Sequence, residues 1–308
     1  MKHMMSMTAA VACTLALTAC GGGGGDSGSG SGSASGRADE GIWSYTDSTA
    51  GQSPLTANQM QAVILSDGSY WGIYGLTQNE TCNARGLLQG AASVSGSSVS
   101  GTYTDFSDAS LFKGTYSGTV SAQNTLNLTF NDPSNTTPLS NPAAFNGIMN
   151  YDSAYNQPAS LSAIAGHYLG GTCGLNPGGT VTTAGDIVTV VGEMPGQPPT
   201  DIGGQYPTQY QDILIISGSN LTLLSPDGQS TIMTGTLAPH GTVNVFDVSL
   251  TTAAAWDKAQ YGTTNASIPA GTVYKGILFQ ASSGDSNYIE IVATAGNTAY
   301  FYKGLKSN

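Results

Sequence analysis

Ala62-Val63-Ile64-Leu65-Ser66-Asp67-Gly68-Ser69-Tyr70-Trp71-Gly72-Ile73-Tyr74 is the stretch that decides the fold. Two apolar runs flank Asp-Gly, the strongest short-range signal for a β-hairpin, because a tight turn favours residues that tolerate positive φ. The reading predicts strands at 62–65 and 70–74, with both turn residues at positive φ. Alternation puts Tyr70 and Gly72 on one face and Trp71 and Ile73 on the other. One set then belongs to a core. With Trp43, Tyr45 and Tyr74, the other set is either further core or a stacking platform for sugar or peptide.

Working outward, the same pattern recurs. Gly41-Ile42-Trp43-Ser44-Tyr45 reads as a first strand. Leu87–Tyr103 reads as a hairpin turning near Gly96-Ser97, and Phe112–Phe130 as another turning near Gln123-Asn124. Residues 131–146 and 192–211 are Pro/Gly-rich loops. Strands are expected over 212–216, 221–224, 231–237, 242–250, 273–280, 288–294 and 298–303, with turns at Gly284-Asp285 and Gly296-Asn297. Helix is confined to about 159–165, between Pro158 and Gly166, and a short piece near 253–259. The fold class is therefore all-β: two antiparallel β-barrel or sandwich-like units with only short helices, at 41–150 and 151–308.

The two halves echo one another. Gly-x-aromatic opens each, at Gly41 and Gly166. Asp67-Gly68 precedes Gly75 as Asp227-Gly228 precedes Gly235. Phe112-Lys113-Gly114 corresponds to Tyr274-Lys275-Gly276. The expectation is an internal repeat whose second copy is lengthened around 192–211.

The N-terminus has another character. Lys2, an apolar run from Met4 to Leu17 and small residues before a cut make a secretory signal. The run is too short to span a bilayer as a helix. Leu17-Thr18-Ala19-Cys20 resembles the lipobox of bacterial lipoproteins, and a plain secretory signal would not require Cys20. The resemblance implies removal of residues 1–19, lipidation of Cys20 and membrane attachment through the acyl chains. Gly21, where that family places Asp for inner-membrane retention, implies transfer to the outer membrane. Residues 20–40 then form the lipidated cysteine and a flexible Gly/Ser tether.

The formal net charge is −11, and only 9% of residues are charged. An acidic chain argues against nucleic acid, which wants a basic face. Gly23, Gly25 and Gly28 satisfy GxGxxG, but no strand precedes and no helix follows, so no dinucleotide site is expected. No GxSxG, HExxH, P-loop or EF-hand motif occurs. His167 and Cys173 are too few for a zinc site, and no metal or cofactor is expected. Asp105 with Asp108, and Asp285 with Glu290, are carboxylate pairs that a fold would have to converge for hydrolysis.

The order of lipobox, Gly/Ser tether, Gly-x-Trp strand, Asp-Gly hairpins and QPASLSAIAGHY (residues 157–168) resembles β-rich lipoproteins of Gram-negative bacteria. More distantly it is similar to two-lobed surface lipoproteins with eight-stranded barrels that bind host proteins. That resemblance implies a non-enzymatic binding or structural module with a protein or glycan ligand. A cell-envelope hydrolase using Asp and Glu residues that meet only in the fold is the alternative. The low basic content departs from the heparin-binding members.

Cys82 and Cys173 are the thiols left once Cys13 is removed and Cys20 acylated. In an oxidising compartment such a pair is expected to join the two halves, the alternative being two free thiols. The bridge would close a loop of about 91 residues, for which chain entropy gives roughly 4–5 kcal/mol. Mass spectrometry of the exported protein without reductant is expected to show Cys82 linked to Cys173. Two alkylatable thiols would rule the bridge out.

Overall fold

The computed structural model describes residues 36–46, 59–74, 86–106, 112–131, 148–175, 188–190, 212–225, 227–255, 268–280 and 288–307. Residues 36–308 form one compact unit. Its chain is all-β, folded as two closed antiparallel barrels of eight strands each.

The first barrel runs β1 (Gly41–Thr46), β2 (Gln59–Ile64), β3 (Ser69–Tyr74), β4 (Gly86–Ser95), β5 (Ser98–Asp105), β6 (Phe112–Ser121), β7 (Thr125–Asn131) and β8 (Ile148–Asp152). Neighbours pair in chain order, and β1 pairs β8 to close the ring. Asp152 then caps a single 3-10 turn, Ser153–Asn156, and Ser160 caps the short helix α1, Leu161–Ile164. Side-chain oxygens that accept early backbone N–H groups are what start both turns.

The second barrel takes β9 (Gly166–Leu175), β11 (Asp212–Ser217), β12 (Asn220–Leu224), β13 (Thr231–Pro239), β14 (Val245–Thr252), β15 (Val273–Phe279), β16 (Tyr288–Ala295) and β17 (Thr298–Lys306). Pairing of β17 with β9 closes it. A short β10 (Val188–Val190) lies along Thr172–Gly174 of β9. The expected boundary at 150/151 falls inside β8. The barrels themselves end at Asp152 and begin at Gly166.

The opening hairpin forms as read, with a different turn. Gly68 N–H closes onto the Leu65 carbonyl at 2.9 Å, and Ser69 N–H bonds the Asp67 carboxylate at 2.7 Å. Only Gly68 is left-handed, at φ +84°; Asp67 is not. A tight turn followed by a left-handed glycine needs one positive φ rather than two. Ser225–Gly228 closes in the same way.

The repeat holds at two anchors and slips at the third. Gly41 and Gly166 each open a first strand, at φ +154° and +146°. Lys113 and Lys275 each stand near the start of a sixth barrel strand, β6 and β15. Asp67-Gly68 joins the second and third strands of its barrel, whereas Asp227-Gly228 joins the third and fourth. The positional equivalent of Asp67-Gly68 is the Gly218-Ser219 turn. Turn chemistry marks hairpins, not which hairpin.

An eight-stranded barrel is just narrow enough to be filled by side chains. The first is filled by aromatics lying on glycines. Gly101 stands opposite Tyr116, and Tyr103 opposite Gly114, in the β5–β6 register. A Cβ on Gly101 would come within 2.5 Å of the Tyr116 ring end, and one on Gly114 within 2.4 Å of Tyr103. Gly-Thr-Tyr at 101–103 and again at 114–116 thus interlocks with itself across the ladder. Tyr70 packs 5.4 Å from Tyr116, and Tyr103 edge-on 5.3 Å from Phe130. Trp43, Met60, Leu126 and Met149 complete this interior. In the second barrel Tyr168, Leu214, Met233, Tyr274 and Tyr300 do the same work.

Between the barrels lies a third apolar cluster. Ile42, Val63, Trp71, Ile73 and Leu87 of the first barrel pack with Val245, Ile277, Phe279, Val292 and Phe301 of the second. Strands in this seam are buried on both faces: Tyr70 to Tyr74 of β3 are buried without a break. The 3-10 turn joins in, since Asn244 N–H bonds the Tyr155 carbonyl at 3.0 Å.

Gly114→Ala should force the Tyr103 ring off its seat and cost about 1–3 kcal/mol, as overpacking of a filled core does. Thr115→Ala, on the outer face of the same strand, should change stability by less than about 0.5 kcal/mol. Urea unfolding of both variants checks this; equal midpoints would contradict it.

Candidate functional site

Of the aromatic residues singled out by the sequence, four are buried and Tyr45 is half-buried against the first barrel's interior cluster. Trp43, Tyr70 and Tyr74 are fully buried inside the first barrel. Trp71 is buried in the seam. The stacking platform is therefore corrected: both faces of β3 are core, one against the barrel interior and one against the second barrel. Cys20 and Cys82 lie outside the described residues, as do Asp108 and Asp285. Cys173 falls within β9, opposite Thr189 and Phe301 in the register.

The described carboxylates near these aromatics are taken up by the fold. Arg37 forks onto Asp39 at 3.0 and 2.9 Å and donates to the Ala92 carbonyl at 2.8 Å. Trp43 donates its indole N–H to the Asp39 carbonyl at 3.0 Å. Residues 37–39, expected to belong to a flexible tether over 20–40, are instead fixed to the first barrel. Asp105 is fully buried, and Tyr74 donates to its two oxygens at 3.0 and 2.9 Å. Asp152 accepts the Ala154 N–H at 2.9 Å. Burial holds the Tyr70 phenol, and likewise that of Tyr116, well above the usual tyrosine range, so both stay protonated.

One polar group bridges the seam. Glu290 on β16 is 1% exposed and pairs with Lys303 at 3.1 Å. Gln61 on β2, its amide turned so that Nε2 faces the carboxylate, donates to Oε1 at 3.0 Å and also to Oε2. A buried charge persists only when paired and hydrogen-bonded, and here each barrel supplies a partner. His240 on the β13–β14 turn stands 2.9 Å from Asp247. His167 is exposed. Among the described residues no three His, Cys, Asp or Glu side chains gather as metal ligands.

The surface left open is on the far strands of the first barrel. Along β5 to β7 exposure alternates strictly: inward Val99, Tyr103, Tyr116, Val120, Leu126, Leu128 and Phe130, outward small polar residues. Register aligns the outward ones in rows. Ser93, Ser100, Ser117 and Thr129 form one row, and Ser95, Ser98, Thr119 and Asn127 the next. Ala91, Thr102, Thr115 and Asn131 form a third. These positions are exposed and carry no charge; Lys113 stands at the rim, opposite Thr104. A shallow depression of about 520 Å³ is lined by Ser93, Ser95, Ser98, Ser100, Ser117 and Thr119, with Val94, Val99 and Gly118 at its base. The sequence reading passed over this face. Its signal was present, as hydroxyls at every second position of 93–104 and 115–121 on either side of the turn at Gly96-Ser97.

Comparison of this chain with protein-family models, with curated proteins and with solved structures found no match.

Glu290 supplies a pH test of the seam. Burial raises its pKa above the ordinary 4.5, outweighing the opposing pull of Lys303 and Gln61. A raised folded-state pKa means that the folded protein binds the proton more tightly. The associated stability is full below about pH 4.5 and is lost as pH rises through the folded value. Glu290→Gln should remove this dependence, so the stability of wild type relative to the variant should fall as pH increases through that window. Urea midpoints for both proteins across pH 4–8 measure it; parallel curves would refute it.

Proposed function

We infer that this chain is a lipoprotein of the outer membrane, anchored through Cys20, and that it acts as a non-enzymatic binding or structural module. The observation that carries the reading is the order of parts. A lipobox and a Gly/Ser tether lead directly into a described body that begins at Gly36 and is fastened at once by Arg37 and Asp39. The tether gives reach; the body supplies a rigid outer surface.

The use of the carboxylates supports a module that works by its surface. Among the described residues, Asp39, Asp105, Asp152 and Glu290 each bind a structural partner. A hydrolase would need carboxylates facing a cleft. The buried seam supports a rigid body, because outward apolar side chains of both barrels share one cluster. A bridge between Cys82 and Cys173, in this reading, adds a covalent tie between halves already docked by that seam.

Cys20→Ala should abolish incorporation of labelled fatty acid and release the protein from the membrane fraction. Unaltered membrane fractionation of the unlabelled variant would overturn the anchoring. Protease shaving of intact cells then tells which face of the membrane carries the body.

A further inference from the structure

Four polar side chains cross the seam in succession. Ser44 on β1 stands opposite Gln61 on β2, and both share the outer face with Ile42 and Val63. Gln61 meets Glu290 of the second barrel, and Lys303 stands opposite Glu290 on β17. Phe279 of β15 lies on the other flank of Glu290. Among the described residues, Lys303 and Gln61 are the groups that act on the Glu290 carboxyl, and Lys303 is the one charge. The Ser44 hydroxyl oxygen is buried and has no hydrogen-bond partner. A buried orphan hydroxyl beside a buried ion pair calls for a reason.

Gln61 supplies one. Its amide oxygen and nitrogen are alike in size, so a half-turn of the amide exchanges donor for acceptor at the same position. Lysine or arginine at this place would hold an ionised Glu290 but could not accept from a protonated one. An amide serves both forms. A hydroxyl also donates or accepts, so Ser44, directly across the ladder, is fitted to follow either orientation.

We propose that Ser44, Gln61, Glu290 and Lys303 form a proton-operated switch in the seam. With Glu290 ionised, Gln61 Nε2 donates to the carboxylate and Lys303 is held at 3.1 Å. When Glu290 takes a proton from solvent, its new O–H donates to Gln61 Oε1, the amide having turned over. Nε2 then faces Ser44, whose hydroxyl accepts. Lys303 loses its counter-charge and moves out to solvent past the Tyr288 ring, which already lies 5.4 Å from its Nζ. The barrels stay docked in both states, because the hydrogen bond between them survives with its direction reversed. Acidification thereby frees one cation at the edge of the seam in a chain of formal charge −11. Burial, which penalises the carboxylate, places the change above the ordinary 4.5 despite the opposing pull of Lys303 and Gln61.

The test uses the whole chain. In the wild type, the Glu290 carboxyl carbon and the Gln61 side-chain amide are followed by nuclear magnetic resonance from pH 8 to 4. Both should move with one midpoint, above 4.5, while small-angle scattering gives the same radius of gyration at either end. Glu290→Gln fixes the neutral state. Brief acetylation at pH 7.5, read by mass spectrometry, should modify Lys303 about fivefold faster in that variant than in wild type, as release from a modest ion pair allows. Lys113 and Lys275 should react equally in both. A Gln61 amide that stays still while Glu290 titrates would overturn the switch. So would a radius that grows on acidification, or equal acetylation of Lys303 in the two proteins. The wild-type titration decides the matter even where the variant fails to fold.

Discussion

The structure depends on covering strands that are apolar on both faces. A barrel strand normally sends one face inward and leaves the other to water. β3 cannot do this: Tyr70 and Tyr74 fill the barrel while Trp71 and Ile73, on the reverse, are equally hydrophobic. β16 and β17 of the second barrel have the same problem, with Ile291 and Tyr302 inside and Val292 and Phe301 outside. Each barrel supplies the cover the other requires. Exposed, either patch would invite association with other chains. The two barrels are therefore one folding unit in the energetic sense, although each closes its own ladder.

Within that seam Gln61 and Glu290 do what apolar contact cannot. Hydrophobic packing is non-directional and would tolerate sliding of one barrel over the other. A buried carboxylate that needs Lys303 from its own barrel and Gln61 from the other fixes a single register. Misalignment would strand a buried charge, which costs far more than a lost surface pair.

The filled interiors decide where function can sit. Tyrosine rings seated on Gly101 and Gly114 occupy the bore of the first barrel, as the apolar cluster around Tyr168 and Tyr300 occupies the second. The seam covers the outer face of β1 to β3 and the start of β4 at Leu87. On the outer face of β5 to β7 the alternation that is apolar within becomes hydroxyl without. The same period of two thus serves packing on one side and solvent on the other.

The sequence by itself determined the strands, most of the turns and the all-β class. Asp-Gly between apolar runs and the strict alternation of 125–131 are local signals, and local sterics read them without help from the rest of the chain. The proposed signal, lipobox and tether also rest on adjacent residues alone. Tertiary structure decided the rest. The Tyr-Trp-Gly-Ile-Tyr run shows that both faces are apolar but not what covers them, because the cover comes from residues about 200 positions away. For the same reason only the structure shows that the aromatics left open as core or binding platform, Trp43, Tyr70, Trp71 and Tyr74, are core. Asp105 and Glu290 became structural because burial, which no spacing encodes, supplied Tyr74 to one and Lys303 with Gln61 to the other. The slipped echo at Asp227-Gly228 has the same cause: any tight hairpin rewards that dipeptide, and only the ladder's register says which hairpin it is. The hydroxyl rows were visible as a pattern on each strand. They became a surface only when the register laid Ser93, Ser100, Ser117 and Thr129 side by side.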